Sequence, residues 1–195
     1  MPENLRQKQK TETRKLIIET SLKLFGENGI LNTKTSDIAK AAKVSHGTIF
    51  SHFATQEQLI ICVIEEFGTR ISKKLDELAS NNESLPVLLK AHLDCLIEFE
   101  PFYTRLIIER RLLPDCVRDT YIMIQSAISF HIGIAAKIEE QKGYLKTMPI
   151  DFLFNTWLGL IHYYLTNSDL FTENKSLLRA YQEKLINNYI NLIKI

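Results

Sequence analysis

The chain has 195 residues, 45% of them hydrophobic, with a formal net charge of +1 at pH 7. This length allows one sizeable core, or a small domain joined to a larger one, and the overall charge does not indicate a strongly basic or acidic partner. Residues 1–53, however, hold nine basic and five acidic residues, whereas the remainder holds fifteen and eighteen. A basic N-terminal segment on a mildly acidic body is one electrostatic signature of phosphate binding, and a chance distribution of solvated charges is the alternative.

The three cysteines, Cys62, Cys95 and Cys116, are odd in number and far apart. They form neither a CxxC pair nor a cluster with zinc-ligand spacing, so we expect reduced thiols, no metal and no cofactor, with a redox sensor as the alternative. The first residues contain no apolar run typical of a signal peptide. No stretch reaches the ~18–20 uninterrupted apolar residues of a membrane helix. The sequence therefore predicts a soluble, cytoplasmic protein that does not bind a membrane.

Hydrophobic residues recur with helical periodicity along the chain, and alternation typical of strands is nearly absent. The sequence therefore predicts an all-α protein with about nine helices. The first should cover about 5–27, with Leu16, Ile17, Leu24 and Phe25 on one face and Gly29 just past its end. The later helices are predicted at 56–79, 85–99, 101–112, 115–142, 149–167 and 173–194, punctuated by prolines and glycines.

Two further short helices are predicted within residues 33–53. Thr33, or failing that Thr35, would cap the first of them, and Ser45 or His46 would start the second, which ends near Phe53. Helices this short are marginal alone, so their shared apolar side must rest on the first helix. This arrangement is that of a helix-turn-helix, whose second helix enters the major groove of DNA. An ordinary helical hairpin with polar outer residues is the alternative.

The pattern GxxxTxTxDIAxAAxVSxGTIFxHFxxxExL, read from Gly29 to Leu59, resembles the N-terminal signature of the tetracycline-repressor (TetR) family. The resemblance covers about residues 10–60 and includes the end of the first helix, LFGENG. It implies an N-terminal three-helix DNA-binding domain, residues 1–53, followed by a larger helical ligand-binding and dimerisation domain, residues 54–195. It also implies a homodimer that pairs through its last two helices, and repression as the commoner mode of action.

The resemblance assigns roles to residues of the predicted helix-turn-helix. Ser36, Thr48 and Ser51 would face bases or nearby phosphates. Lys34, His46, Gly47 and His52 would lie along the DNA backbone, and Ile38, Ala39, Val44, Ile49 and Phe53 would be scaffold. The full predicted DNA-binding set is Lys34, Thr35, Ser36, Lys43, Ser45, His46, Gly47, Thr48, Phe50, Ser51 and His52.

Two positions depart from the family pattern. Phe50 stands where a tyrosine is frequent, so a phenolic hydroxyl is missing, and Gln56 stands where a lysine is frequent. Both losses leave more of the electrostatic contact with phosphate to other basic residues. These are Lys34, Lys43, Arg6, Lys8 and Lys10. No outward residue is an arginine placed to contact guanine bidentately, so the operator sequence does not follow.

The last two predicted helices are apolar on two faces each, which indicates burial on both faces. A chain this short has little mass left to cover them, so we expect a partner subunit, with a fully intramolecular core as the alternative. The predicted dimer interface is Phe154, Leu158, Ile161, Leu165, Leu178, Tyr181, Leu185 and Tyr189, and Gly159 would permit a close helix contact. Twofold pairing would place two recognition helices ~34 Å apart on a palindromic operator.

A small-molecule pocket in the helical body is a further expectation. Aromatic walls with a few polar groups suit an apolar or aromatic effector. The predicted lining residues are Phe99, Phe102, Tyr103, Met123, Phe130, His131, Trp157 and His162. Each of them singly is equally well explained as core.

These expectations combine into a ligand-responsive, homodimeric transcriptional repressor, in which effector binding tilts the long helix 56–79 and releases DNA. Two alternatives stay open: a helical DNA-binding protein without an effector, and a ligand-binding helical protein whose helix-turn-helix is vestigial. No catalytic set, phosphate-binding glycine loop or HExxH motif indicates an enzyme.

Overall fold

The computed structural model describes residues 5–171, 173 and 176–195. Within this part of the chain the fold is all-α, as predicted, with nine α-helices, two short 3-10 segments and one isolated bridge between Leu145 and Lys194. Residues 1–4 of the predicted first domain, and residues 174 and 175 of the predicted last helix, lie outside the described residues. The helices are α1 (Leu5–Asn28), α2 (Thr35–Ala41), α3 (His46–His52), α4 (Gln56–Ser80), α5 (Leu85–Glu98), α6 (Glu100–Glu109), α7 (Asp115–Gln141), α8 (Ile150–Thr166) and α9 (Leu177–Ile193).

Most helix boundaries lie within two residues of the prediction, and two differ in an informative way. The predicted helix 101–112 is α-helical only to Glu109 and continues as a 3-10 turn, Arg110–Leu112. The last helix begins at Leu177 rather than at residue 173. Ser176 caps it, because its hydroxyl accepts a hydrogen bond from the Arg179 N–H at 3.3 Å.

The described residues form two compact units. The first contains the described residues up to Phe67 together with Pro101–Thr120. Its core includes the fully buried side chains of Ile17, Phe25 and Ile38. Leu16, predicted on the same face, is instead 48% exposed. The buried ladder of α1 runs through Ile17, Ser21 and Phe25 at steps of four, and Leu16 lies one residue, about 100°, away from it.

The segment Pro101–Thr120 is integral to the first unit. The Gly26 backbone approaches the start of α6 so closely that an added Cβ would lie 3.0 Å from the Phe102 backbone nitrogen. The Phe67 ring lies 5.5 Å, centroid to centroid, from the rings of both Phe102 and Tyr103. The three rings join α4 and α6 in one aromatic cluster, so α6 belongs to the core that supports the N-terminal helices.

The second unit contains Gly68–Glu100 and the described residues from Tyr121 to Ile195. Helices α5 and α8 both pack against α9. The buried Glu100 carboxylate accepts hydrogen bonds from the Leu177 and Leu178 N–H groups, at 2.7 and 3.1 Å, and from the Ser176 hydroxyl at 2.7 Å. A carboxylate at a helix N-terminus satisfies free N–H groups and complements the helix dipole, so Glu100 fixes where α9 starts.

Among the described helices, α7 alone is long and apolar enough to span a membrane, by length and composition only. In the folded chain, 28% of its apolar window is buried. Its exposed apolar side chains include Ile122, Met123 and Phe130. A single helix of this kind is weak evidence for a membrane span, since core helices of globular proteins meet the same criteria.

Candidate nucleic-acid interface

The turn between α2 and α3 is closed by a left-handed residue. Lys43 has a φ of 55°, and the next residue, Val44, donates its N–H to the Ala39 carbonyl at 3.0 Å. This is the Schellman ending of a helix, with lysine where glycine is usual. The backbone thus turns sharply enough for α3 to pack across α2, as in a helix-turn-helix.

The start of α2 differs from the prediction, because neither Thr33 nor Thr35 is the N-cap. Lys34 holds that position, and its N–H donates to the Asp37 carboxylate at 3.2 Å. The Thr33 hydroxyl instead donates to the Gly29 carbonyl at 2.7 Å, which ties the loop to the end of α1. Asp37 therefore stabilises the start of α2 through the N-cap N–H, a different donor from the first-turn N–H that a capping threonine would have bound.

The start of α3 agrees with the prediction. Ser45 is its N-cap, and the serine Oγ accepts from the Thr48 N–H at 3.0 Å. On the inner side, Ile49 and Phe53 are each 1% exposed, and Ile38 is fully buried. The predicted scaffold residues thus anchor α3 to the core through its buried side, and the opposite side of the helix faces the solvent.

The outer side of α3 carries His46, Gly47, Phe50 and Ser51, all exposed, with Thr48 half-buried. The His46 and Phe50 rings meet edge to face with centroids 5.0 Å apart. The His46 Nε2 lies 2.9 Å from the Thr35 Oγ1, which links α3 back to α2. These contacts hold a small amphipathic surface in place, with an aromatic ring able to contact a thymine methyl group and hydroxyls able to reach base edges.

Arg14 on α1 supports the end of α3, and the sequence prediction missed it. Its guanidinium donates to the His52 carbonyl at 3.1 Å and lies 4.3 Å from the centroid of the Phe53 ring. It also donates to the Cys62 sulfur at 3.0 Å. One side chain therefore joins α1, α3 and α4, a role that only the three-dimensional contacts reveal.

The surroundings of His52 favour its neutral form. Partial burial, and then the positive charges of Lys10 and Arg14, hold the pKa of its imidazole below the ordinary value of 6.5. A neutral imidazole can still donate one hydrogen bond to a phosphate oxygen, but it adds no formal charge to the interface.

Gln56, which stands where the family pattern frequently has a lysine, has a structural role. Its side-chain amide donates to the Thr33 carbonyl at 3.1 Å, so it joins the start of α4 to the loop before α2. This residue therefore has a structural partner where a lysine would offer a charge. The exposed lysines Lys34 and Lys43 are the formal positive charges within the helix-turn-helix loops.

The predicted effector-pocket residues do not form one set. Phe102 and Tyr103 belong to the first unit, and the other six belong to the second. Met123 and Phe130 are 72% and 65% exposed, so they are not walls of an enclosed pocket in this chain. Helical periodicity places them on one helix but does not tell which side faces the core. Trp157 is fully buried, as a lining or core residue requires.

Most of the predicted dimer residues are buried within the single chain. Seven of the eight are 8% exposed or less within the single chain, and Tyr181 is half-buried, where its hydroxyl donates to the Phe171 carbonyl at 2.9 Å. Within the single chain these residues fill the core that α8 and α9 share, and their assignment as partner contacts stays a prediction. A helix apolar on two faces gives no sign in its sequence of which face the monomer buries. The seven are Phe154, Leu158, Ile161, Leu165, Leu178, Leu185 and Tyr189.

A separate apolar face of α8 and α9 stays exposed. Phe152, Tyr163 and Leu192 are 59%, 55% and 66% exposed, respectively. A Cβ built on Gly159 would meet no atom within 4 Å, so this glycine makes no close helix contact inside the chain. On α8 these positions follow the seven- and four-residue steps of one helical stripe.

An open groove of about 490 Å³ lies in the second unit, along α4 and α5. Burial, and then the charges of Glu98 and Asp94, raise the pKa of the Cys95 thiol in this groove, so the thiol is not activated for reaction. No cluster of three or more potential metal ligands occurs in the described part of the chain. The groove lining is strongly charged and comprises Arg70, Lys73, Lys74, Glu77, Ala91, Asp94, Cys95, Glu98 and Phe99.

The fold and the geometry of α1 to α3 define a helix-turn-helix protein. Residues 17–62 match the family model of "Bacterial regulatory proteins, tetR family". Residues 17–62, about a quarter of the chain, thus form an N-terminal segment of the TetR type.

Several relatives are regulators by name. The chain is 26% identical over 163 residues to the HTH-type transcriptional regulator YuxN of Bacillus subtilis, a match that covers 79% of this chain and 54% of the relative. It is 39% identical over 59 residues to an HTH-type transcriptional repressor of Mycobacterium tuberculosis, covering 30% of this chain and 31% of the repressor. The matches thus span about half of the first relative's length and a third of the second's.

The fold of the chain is similar to that of solved structures of bacterial regulators. The fatty acid degradation regulator FadR of Bacillus halodurans superposes with a TM-score of 0.75 at 18% identity, over 91% of this chain and 94% of that one. A regulator from Aquifex aeolicus superposes with a TM-score of 0.71 at 22% identity, over 92% and 99%. Likeness at this level of identity concerns the fold alone.

Proposed function

We propose that the protein is a DNA-binding transcriptional regulator, a cytoplasmic homodimeric repressor that leaves a palindromic operator when a small, largely apolar effector binds. The observation that carries this proposal is the exposed face of α3. It is held from beneath by Ile49 and Phe53, and it lies within the segment that matches the TetR family model. In a helix-turn-helix, this face is the one that enters the major groove.

The domain division used in this proposal, 1–53 for DNA binding and 54–195 for effector binding and dimerisation, follows the sequence. Specific contacts are assigned to Thr48, Ser51 and Phe50, and phosphate contacts to Lys34 and Lys43. Base-edge contacts specify sequence, whereas lysine contacts supply salt-sensitive affinity that is the same for all sequences.

Dimerisation is assigned to the exposed stripe of α8 and α9 that includes Phe152, Gly159, Tyr163 and Leu192. Exposed aromatic and aliphatic side chains around an uncovered glycine allow close approach of a second helix. Isologous pairing of this stripe would present two copies of α3 to half-sites one turn of DNA apart, ~34 Å.

The test is binding of the purified protein to DNA fragments that flank its own gene, measured by fluorescence anisotropy across a range of salt concentrations. We expect one fragment to bind specifically, with affinity that falls steeply as salt rises. Absence of salt-sensitive binding to every flanking fragment would contradict the proposal.

Thr48→Ala provides a residue-level version of this test. The variant should bind the operator more weakly, by about 5–150-fold, which corresponds to the loss of about 1–3 kcal/mol for one base contact, while its melting temperature changes little. Thr120→Ala is the matched control, because Thr120 is a helical threonine that is half-buried, like Thr48, and its hydroxyl donates to the Cys116 carbonyl of its own helix at 2.9 Å. Equal operator affinity of both variants would remove Thr48 from the recognition surface.

A further inference from the structure

The interior of the second unit contains a histidine, His92, whose tautomer is fixed by a neighbouring tryptophan. The indole N–H of Trp157 lies 3.1 Å from the Nδ1 of His92, and both side chains are fully buried. Because an indole nitrogen only donates, the His92 Nδ1 must carry the lone pair. In the neutral ring the proton is therefore on Nε2, which is a hydrogen-bond donor.

The neutral form is the one present in the folded protein at neutral pH. Burial foremost, and then the nearby His162, lower the pKa of the His92 imidazole from 6.5 to about 3. The orientation and the tautomer of His92 are thus both set, by one hydrogen bond and by the exclusion of water.

The Nε2–H of His92 has no acceptor among the described residues. Buried polar groups in native proteins are almost always paired, so an unpaired donor calls for an explanation. Two further buried atoms in the same unit are also without a hydrogen-bond partner, the Gln125 Oε1 and the His131 Nδ1. His131 Nδ1 lies 3.8 Å from the Asp76 carboxylate, beyond hydrogen-bond distance. The first unit has no such atom in the part of the chain that the structure describes.

We infer that the His92 Nε2–H is the hydrogen-bond donor for the effector, and that the effector is a mostly apolar molecule with an uncharged acceptor such as the carbonyl of a ketone or ester. This inference deepens the proposed function, since it assumes that the second unit senses a ligand. An uncharged acceptor suits a neutral donor, because a carboxylate would remain an unpaired charge in a buried site unless His92 took up a proton.

Trp157 reports directly on this site. It is the only tryptophan in the chain, so the intrinsic tryptophan fluorescence arises from the residue that binds His92. Binding is measured on the protein without DNA, so a failure here is distinguishable from a failure to bind an operator.

The probes are two matched pairs, 2-decanone with decane and butyrophenone with butylbenzene, with decanoate as the charged comparison. We expect saturable fluorescence changes with at least one ketone, and a Kd at least tenfold below that of its hydrocarbon partner, a difference of about 1.4 kcal/mol. Absence of saturable ketone binding, equal affinities within both pairs, or a preference for decanoate would overturn the inference.

Two substitutions test the roles of Nδ1 and Nε2 of His92 one at a time. His92→Asn keeps an oxygen where Nδ1 accepts from Trp157 and removes the Nε2 donor. His92→Gln can place an N–H at the Nε2 position and removes the Nδ1 acceptor. We expect His92→Asn to lose the tenfold ketone preference and His92→Gln to retain most of it. The reverse order would assign the site to the Trp157 contact and contradict the role of Nε2.

Folding of both variants is checked by circular dichroism before binding is compared. If both fail to fold, the wild-type protein supplies the test through NMR of ¹⁵N-labelled histidine. Ketone binding should shift the signal of the protonated Nε2 of His92, and an unchanged signal at saturation would overturn the inference.

Discussion

Lowering the pH from 7.5 to 5 is expected to destabilise the folded chain through His92. Burial and His162 lower the pKa of this imidazole to about 3 in the folded protein, against 6.5 when it is exposed. Below pH 6.5 the unfolded chain binds a proton that the folded chain does not, so stability that is fully present above pH 6.5 is lost as the pH falls toward 3. Linkage gives a loss of about 2 kcal/mol between pH 7.5 and 5 from this one group.

The measurement is urea denaturation followed by far-ultraviolet circular dichroism at both pH values and at one protein concentration, since dimerisation would make stability depend on concentration. His92→Asn is the control, because asparagine preserves an acceptor for Trp157 and does not titrate. The wild-type protein should lose about 2 kcal/mol more than the variant over this interval. Equal losses would refute the reasoning, because they would show that His92 contributes nothing to the acid sensitivity.

The remaining predictions concern a helix cap and the proposed dimer face. Glu100→Gln should lower the free energy of unfolding by about 2 kcal/mol, since an amide cannot accept all three hydrogen bonds at the start of α9 and carries no charge for the helix dipole. Chemical denaturation measures this loss, and the exposed Glu183→Gln on α9 should change stability by less than about 0.5 kcal/mol; similar effects of both would deny Glu100 a capping role. Tyr163→Lys should shift the protein from dimer to monomer in analytical ultracentrifugation, whereas Tyr144→Lys, at a tyrosine that is 64% exposed, should not. A Tyr163→Lys protein that stays dimeric at low micromolar concentration would place the interface elsewhere.

Patterns among neighbouring residues were sufficient to predict most of the helices and the helix-turn-helix from the sequence. Ser45 is the N-cap of α3 because a serine hydroxyl can accept from an N–H three residues later, a contact that depends only on neighbouring residues. The long helix α4 likewise follows from its own periodicity. The prediction 56–79 differs from Gln56–Ser80 by one residue.

Signals that depend on distant residues were not accessible in the same way. Arg14 contacts residues 38 and 48 positions away, and Glu100 contacts residues more than 70 positions away, so no local pattern identifies either. The burial of the predicted dimer residues within the single chain was not accessible for a related reason. Helical periodicity shows that α8 has two apolar faces, but only packing shows that Phe154 faces the core and Phe152 does not.

The inclusion of α6 in the first unit has a consequence for engineering hybrid regulators. The N-terminal helices look like a portable part that could be cut at residue 53 and fused to another sensor. Such a graft would discard Phe102, whose ring stacks with Phe25, and Glu109, whose carboxylate accepts the Leu31 N–H at 2.8 Å. The host sensor would have to supply a helix that packs against Gly26 as α6 does. Without such a helix, the transferred N-terminal domain would expose part of its own core. A transferable cassette should therefore carry residues 101–120 along with it.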